Sequence, residues 1–288
     1  IDAAGRSAVL RERHAAHFAD LASRASRDLA GDEAGPWRAR LEHDNDNLRG
    51  ALRWGLEGGT LATGLRLGAG LWRFWYLRGA LDEGAAWLAR LDAAAGAAPP
   101  STDRAELLRG AGVLAGAHNR MAESRAYFER SLAMYRALDD RAGAVAVLDH
   151  LALRLQSAGE HEAATAHAEQ SLRLKEAMGD RAGMAVTLRL LAQIDGQRGD
   201  HAAARSRYQA SLDLLRAGRG RPYDLAQTLL GFGGVLIEDG SAGDAEPLVE
   251  EALVVFRGLR DHTNTAHCMS LLGTLELARE RYPQACQH

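Results

Sequence analysis

The sequence predicts an all-α solenoid of antiparallel helix pairs, and three observations carry that prediction. Segments return at a fixed interval: Arg141-Ala142-Gly143 recurs as Arg181-Ala182-Gly183, and Ser131-Leu132, Ser171-Leu172 and Ser211-Leu212 form a series, each step being 40 residues. A fixed period of that size marks stacked structural units. Each unit also repeats a small, bulkier, small triplet at helical spacing: Ser124/Phe128/Ser131, Ala164/Ala168/Ser171, Ala204/Tyr208/Ser211 and, one residue out of step, Ala245/Val249/Ala252. Those spacings share one helix face. Upstream of the triplets stand Ala111-Gly112, Leu151-Ala152, Leu191-Ala192 and Phe232-Gly233, with Leu272-Gly273 ahead of Ala285. Two antiparallel helices approach closely only where their contact carries little side chain, so the unit is a helical hairpin. Gly inside a helix costs roughly 1 kcal/mol against Ala, and close packing must offset that at Gly112, Gly233 and Gly273.

Composition agrees. The chain has 288 residues, 47% hydrophobic and 25% charged, with six Pro, a balance that supports a large core and excludes disorder. No apolar run of membrane-spanning length and no cleavable leader is evident, so a cytoplasmic location with no membrane partner is expected. Cys268 and Cys286 are too few for a disulfide framework and read as ordinary thiols. A formal charge of −3 argues against direct nucleic-acid binding, which usually needs a basic face. The chain opens on Ile1 without Met and stops at His288 inside a helical pattern; it is expected to be a piece of something longer.

Taken in order, Leu10, His14, Phe18, Leu21, Ala25 and Leu29 make an amphipathic helix over Val9 to Leu29, ended by Gly31 to Pro36. Trp37, Leu41, Leu48, Leu52 and Leu56 carry an apolar face to Gly58-Gly59, interrupted at Asp44-Asn45-Asp46, where a new helix is expected to start near Asn47. Residues Leu61 to Leu77 are apolar around most of the circumference and should be buried. Leu81 to Ala94 follows, with Gly84, Leu88 and Leu91 in register with the repeats. All five tryptophans, Trp37, Trp54, Trp72, Trp75 and Trp87, fall in this first third; packing of a larger interior is the favoured reading, an aromatic ligand pocket the other. Gly96 to Ser101, with Pro99-Pro100, is the clearest break and a candidate hinge, after which Ser101 or Thr102 can cap the next helix. The organisation is therefore residues 1–98, atypical aromatic-rich helical repeats, and 101–288, a regular array whose last unit is cut off.

Catalytic patterns do not assemble. The only lysine, Lys175, sits between Leu174 and Glu176, so no phosphate-binding loop exists. His161-Glu162 lacks the second His of a zinc-protease helix, and His14 and His17, one turn apart, lack a third ligand and read as a partly buried pair. Asp44 to Asn47 lacks the Gly and Glu of a calcium loop. Arg216, Arg219 and Arg221, the one basic cluster, are diluted by Asp213 and Asp224 and read as a solvated loop. No catalytic residue, metal or cofactor is expected.

The small residues on both helices, with large ones between them, resemble the tetratricopeptide repeat, although the period exceeds that family's usual length of about 34 and the Pro that often ends the second helix is missing. Two stretches resemble something narrower. His43-Asp44-Asn45-Asp46-Asn47-Leu48-Arg49-Gly50-Ala51-Leu52-Arg53-Trp54 and Leu65 through Leu91, with Leu71-Trp72-Arg73-Phe74-Trp75 and Arg78-Gly79-Ala80-Leu81-Asp82-Glu83-Gly84, look like the repeat region of LuxR-type and AfsR/SARP-type transcriptional regulators of actinobacteria. The doubled Asp-Asn pair departs from that family's single one. The resemblance implies a right-handed superhelix, a non-catalytic sensor role, and ATPase (STAND or NB-ARC) and DNA-binding modules elsewhere in the same parent chain. Its implied partner is a protein, a peptide or a small-molecule inducer, held in the concave groove formed by the first helix of each pair. By register the inward positions are Arg66, Arg73, Tyr76, Arg109, Asp149, Gln156, Arg189, Gln193, Gln197 and Gln227, a mostly basic or amide set suited to an acidic peptide or anionic ligand. The alternative is a structural scaffold that joins proteins without a ligand, and for the arginines the alternative is pairing with neighbouring acids such as Glu106 and Asp149, which would keep the groove soluble.

Overall fold

The computed structural model describes residues 3–29, 34–218 and 220–278. Gly31, Arg219, Ala285 and Cys286, on which expectations were placed, lie outside the described residues. Among the described residues the chain is all helix, without a strand, as the period requires. It forms two compact units, residues 1–150 and 151–288, divided inside one helix, so Pro99-Pro100 is internal to the first unit.

The first unit holds α1 (Ala3–Asp28), α2 (Ala34–His43), α3 (Asn45–Glu57), α4 (Leu61–Arg78), α5 (Leu81–Ala95), α6 (Thr102–Ala117), α7 (Met121–Ala137) and most of α8 (Arg141–Ser157). Helix α4 is its centre. It packs on α1, α3, α5 and α6, which is why it is apolar on nearly every side; Leu67, Leu71, Phe74 and Trp75 are all at most 2% exposed. Helix α1 begins before Val9, and α3 begins at Asn45, ahead of the expected Asn47. Asp44 sits at the start of α3 without a side-chain cap bond; its carboxylate accepts instead from Arg40 Nε at 2.6 Å, so ion pairing took the side chain that sequence logic reserved for capping. Ser101 does cap α6, accepting from the Arg104 amide. The candidate hinge is a pinned connector: α6 packs on α4 and α5, and buried Arg104 donates to Asp92 at 3.0 and 3.1 Å and to the Ala98 carbonyl.

The second unit holds the end of α8, then α9 (His161–Met178), α10 (Arg181–Gln197), α11 (His201–Gly218), α12 (Pro222–Glu238), α13 (Ala242–Gly258) and α14 (His262–Ala278). Its main core gathers Ala192, Ala204, Tyr208, Leu229, Phe232, Val249, Phe256 and Leu272 from α10 to α14.

The small residues act as read, and do more. A Cβ on Gly112 would stand 2.8 Å from Phe128, and one on Gly233 2.5 Å from Val249, so each glycine admits the bulky member of the facing triplet. The serines are not only small. Ser131 Oγ donates to the Ala105 carbonyl at 2.7 Å and Ser211 Oγ to the Ala185 carbonyl at 2.8 Å, the same separation of 26 residues in two repeats. Turns repeat as well. Positive φ falls at Gly79, Asn119, Asp139, Gly159, Gly179, Gly199, Gly240 and Arg260. The amide of the following residue then reaches back five positions, as from Asp180 to the Lys175 carbonyl and from Asp261 to the Phe256 carbonyl. This is the closure that satisfies the last carbonyls of a helix.

Candidate functional site

The second unit has a cavity of about 600 Å³ whose wall is built from the first helix of successive pairs: α8, α10, α12 and α14. Antiparallel pairing puts every first helix on the same side of its hairpin, so positions one period apart arrive side by side. Gln156 from α8, Gln193 and Gln197 from α10, and Gln227 from α12 all line it. The structure thus brings together four of the ten residues that register placed on the inner face.

Its floor is small and its rim polar. Gly231 stays bare because Tyr208, only 1% exposed, runs beneath it from α11 with its hydroxyl 2.5 Å from where a Cβ would stand. Gly196 and Gly234 extend the floor, while Leu230, Val235 and Leu271 supply apolar wall. Burial pushes the Tyr208 phenol up, so it stays a neutral hydroxyl. Gln227 Nε2 donates to the Tyr223 hydroxyl at 3.1 Å. Asn264, also in the wall, donates to Asp261 at 2.6 Å. The amides of Gln156, Gln193 and Gln197 make no hydrogen bond to the described residues. Each offers a donor and an acceptor to whatever enters, the complement of a peptide backbone.

Arg189, half-buried and itself outside the cavity lining, lies one turn before Gln193 on α10. Its Nε is buried without a hydrogen-bond partner. Burial lowers its pKa, against the field of Tyr208, Asp224 and Tyr223. The one carboxylate of that set, Asp224, is already gripped by Arg221 at 2.7 and 3.2 Å.

The residues expected in the first unit are arranged differently. Arg109 is 7% exposed, its guanidinium forked onto Glu106 of the same helix, with the Nε contact at 2.8 Å. Glu106 also accepts from Trp72 Nε1 at 2.8 Å and the Tyr135 hydroxyl at 2.9 Å. Burial raises that carboxyl, but Arg109 with Trp72 and Tyr135 outweighs burial and leaves it below its ordinary value. Arg73 lies over the Trp72 ring at 4.4 Å and Arg109 over it at 5.0 Å. Burial, then repulsion from Arg109, lowers the Arg73 pKa. Arg66, exposed, pairs with Asp20 at 2.7 Å; Tyr76 is exposed and Asp149 half-buried. Sequence reasoning placed these arginines on a common face and named Glu106 among the acids that could pair with them, as it does with Arg109; it missed Asp20, which answers Arg66.

Other expectations resolve locally. Trp72 and Trp75 are buried, and Trp54 and Trp37 anchor through Glu12 and Asp28, both at 2.9 Å. Trp54 also borders an open cavity of about 930 Å³ with Leu10, Arg11 and His14, between α1 and α3. His14 and His17 are exposed, not partly buried, although both rings lie against Phe18 at 4.7 and 5.1 Å. No group of three metal-ligating side chains occurs among the described residues, and no described helix is long and apolar enough to cross a membrane. Arg216 pairs with Glu251 at 2.7 Å.

Comparison with known proteins fits this geometry. Two tetratricopeptide-repeat family models match, over residues 145–181 and 224–288, so the chain carries tetratricopeptide repeats there. No curated protein matches the sequence. Similar solved structures include the apo form of RapI, with a TM-score of 0.68 and 14% identity over 73% of this chain and 77% of that one. BtubC from P. vanneervenii gives 0.62 and 15%, over 87% and 92%. NprR in complex with its cognate peptide NprX gives 0.57 and 15%, over 96% and 74%. At such identities the likeness establishes the fold: an all-α solenoid of tetratricopeptide type.

Proposed function

We propose that the chain is the non-catalytic sensor and interaction domain of a multidomain bacterial transcriptional regulator, and that it receives a peptide segment of a partner or inducer in the groove of its second unit. The observation that carries the reading is the wall of glutamines: side chains from three first helices face one cavity over a glycine floor, and the amides of Gln156, Gln193 and Gln197 make no hydrogen bond to the described residues. An extended backbone needs such partners in alternation, and glycine lets it come close. A peptide held by NprR, whose fold this chain shares, supports the class of ligand. The stretches His43 to Trp54 and Leu65 to Leu91 support the regulator parentage, with ATPase and DNA-binding modules elsewhere in the parent chain. Occupancy would shift that parent between states only if the peptide binds one of them more tightly.

Panning a random linear peptide library on the 288-residue chain tests the reading. Selected peptides should lose about tenfold or more in affinity with Gln193→Ala plus Gln227→Ala, two amide contacts at roughly 1 kcal/mol each, while the melting temperature holds. A library that yields no binder, or binders indifferent to both substitutions, refutes the groove. In the full regulator, the selected peptide should alter DNA occupancy; an unchanged occupancy refutes the sensor role while leaving the groove intact.

A further inference from the structure

We propose, resting on the groove reading above, that Arg189 is a carboxylate-receiving subsite at the end of the glutamine wall, so that the peptide taken there carries an acidic side chain about one helical turn beyond the segment read by Gln193. Four arginines were expected on inner faces, and the structure separates them. Arg66 is answered by Asp20 and Arg109 by Glu106, while Arg73 spends its planar face on Trp72. Arg189 has none of these: its Nε is buried and unpartnered, no carboxylate pairs with it among the described residues, and the nearby Asp224 is held in a two-point fork by Arg221.

A guanidinium remains charged when buried, so desolvation without a partner lowers the stability of the empty fold, and an incoming carboxylate recovers what was lost. The fork geometry suits a planar anion. A monoanion fits better than a phosphate dianion: the groove wall carries Glu238 and no Arg or Lys, so the second charge of a phosphate would have no cation to meet.

The test uses the whole chain and two pools of N-acetylated, C-amidated degenerate octapeptides that differ only in one fixed central residue, Glu or Gln. Retained peptide is quantified by mass spectrometry. Wild type should retain the Glu pool about tenfold more than the Gln pool, the worth of one charge-assisted contact, and Arg189→Gln should erase that preference while still retaining the Gln pool. Equal retention of both pools by wild type, or a preference that survives Arg189→Gln, overturns the subsite and leaves the amide groove standing. Retention of neither pool overturns both. Should Arg189→Gln fail to fold, the side-chain Nε–H resonance of wild-type Arg189, followed by NMR, decides: movement with the Glu pool alone supports the subsite, and a resonance indifferent to either pool overturns it.

Discussion

Arg109 and Arg189 stand at related positions on first helices, and the structure assigns opposite signs to their removal. Arg109→Ala strands Glu106, whose side chain is 22% exposed against 8% for Arg109, with only the Trp72 and Tyr135 donors. Breaking a buried pair on one side costs about 3–5 kcal/mol, and the partial exposure of Glu106 scales that to about 2–4 kcal/mol. For a chain of this size that is a drop of roughly 3–7 °C in melting temperature. Arg189→Ala removes a guanidinium that has no partner to strand, so its melting temperature should stay level or rise. The Arg109 effect is also pH-dependent. The Glu106 pKa is depressed in the fold, so its stabilisation is present above the ordinary carboxyl range and is lost as pH falls through the lower folded value. Thermal melts by circular dichroism from pH 7 to pH 3 check both statements. An Arg109→Ala chain that melts with wild type at pH 7, or an Arg189→Ala chain that melts well below it, would refute the charge accounting. So would an acid-induced loss equal in slope for wild type and Arg109→Ala.

Two other perturbations probe the repeat. Ala204, fully buried where α11 meets α10, should not accept Leu; overpacking there should cost roughly 1–3 kcal/mol, whereas Ala202→Leu on the exposed face should change the denaturation midpoint little, and equal shifts would show the register to be wrong. Arg260 occupies a left-handed conformation with φ 56°, which costs a side-chain-bearing residue roughly 1–2 kcal/mol; Arg260→Gly should therefore raise stability by about 0.5–1 kcal/mol in urea denaturation, and a loss would contradict the strain.

Repetition made most of the fold readable. Gly112 facing Phe128 and Gly233 facing Val249 follow from spacing alone, since a period places small against large without any knowledge of long-range packing. Spacing also carried the glutamines of α8, α10 and α12 into one wall. It failed where a side chain had a choice of partner. Asp44 was a plausible cap, yet Arg40 one turn back offered a charge. Register describes where a side chain starts: Glu106, three residues from Arg109 on the same helix, was legible as its partner, whereas Asp20, on another helix, was not legible as the partner of Arg66. Tyr208 beneath the groove was legible as a core residue, but its hydroxyl under Gly231 required the crossing of α11 and α12. The turn residues were half legible: glycine announces Gly159, Gly179 and Gly199, while Asn119, Asp139 and Arg260 hold the same conformation without that signal.

Those turns fix a unit of length. From α7 to α14 each helix is 17 or 18 residues, and each junction closes with a five-residue reach or a short link. A residue added inside a helix would rotate everything after it by about 100° and turn the inner face outward. From α8 onward one step between first-helix starts departs from 40 residues, that from Arg181 to Pro222, and α11 between them keeps the 18-residue length of α9. Lengthening or shortening such a protein is therefore permitted in two currencies only: single residues spent in a link, or a whole hairpin copied from one left-handed residue to the equivalent one. The second route inserts another first helix beside its neighbours and extends the recognition surface by one helix width, which gives this architecture a direct way to match partners of different length.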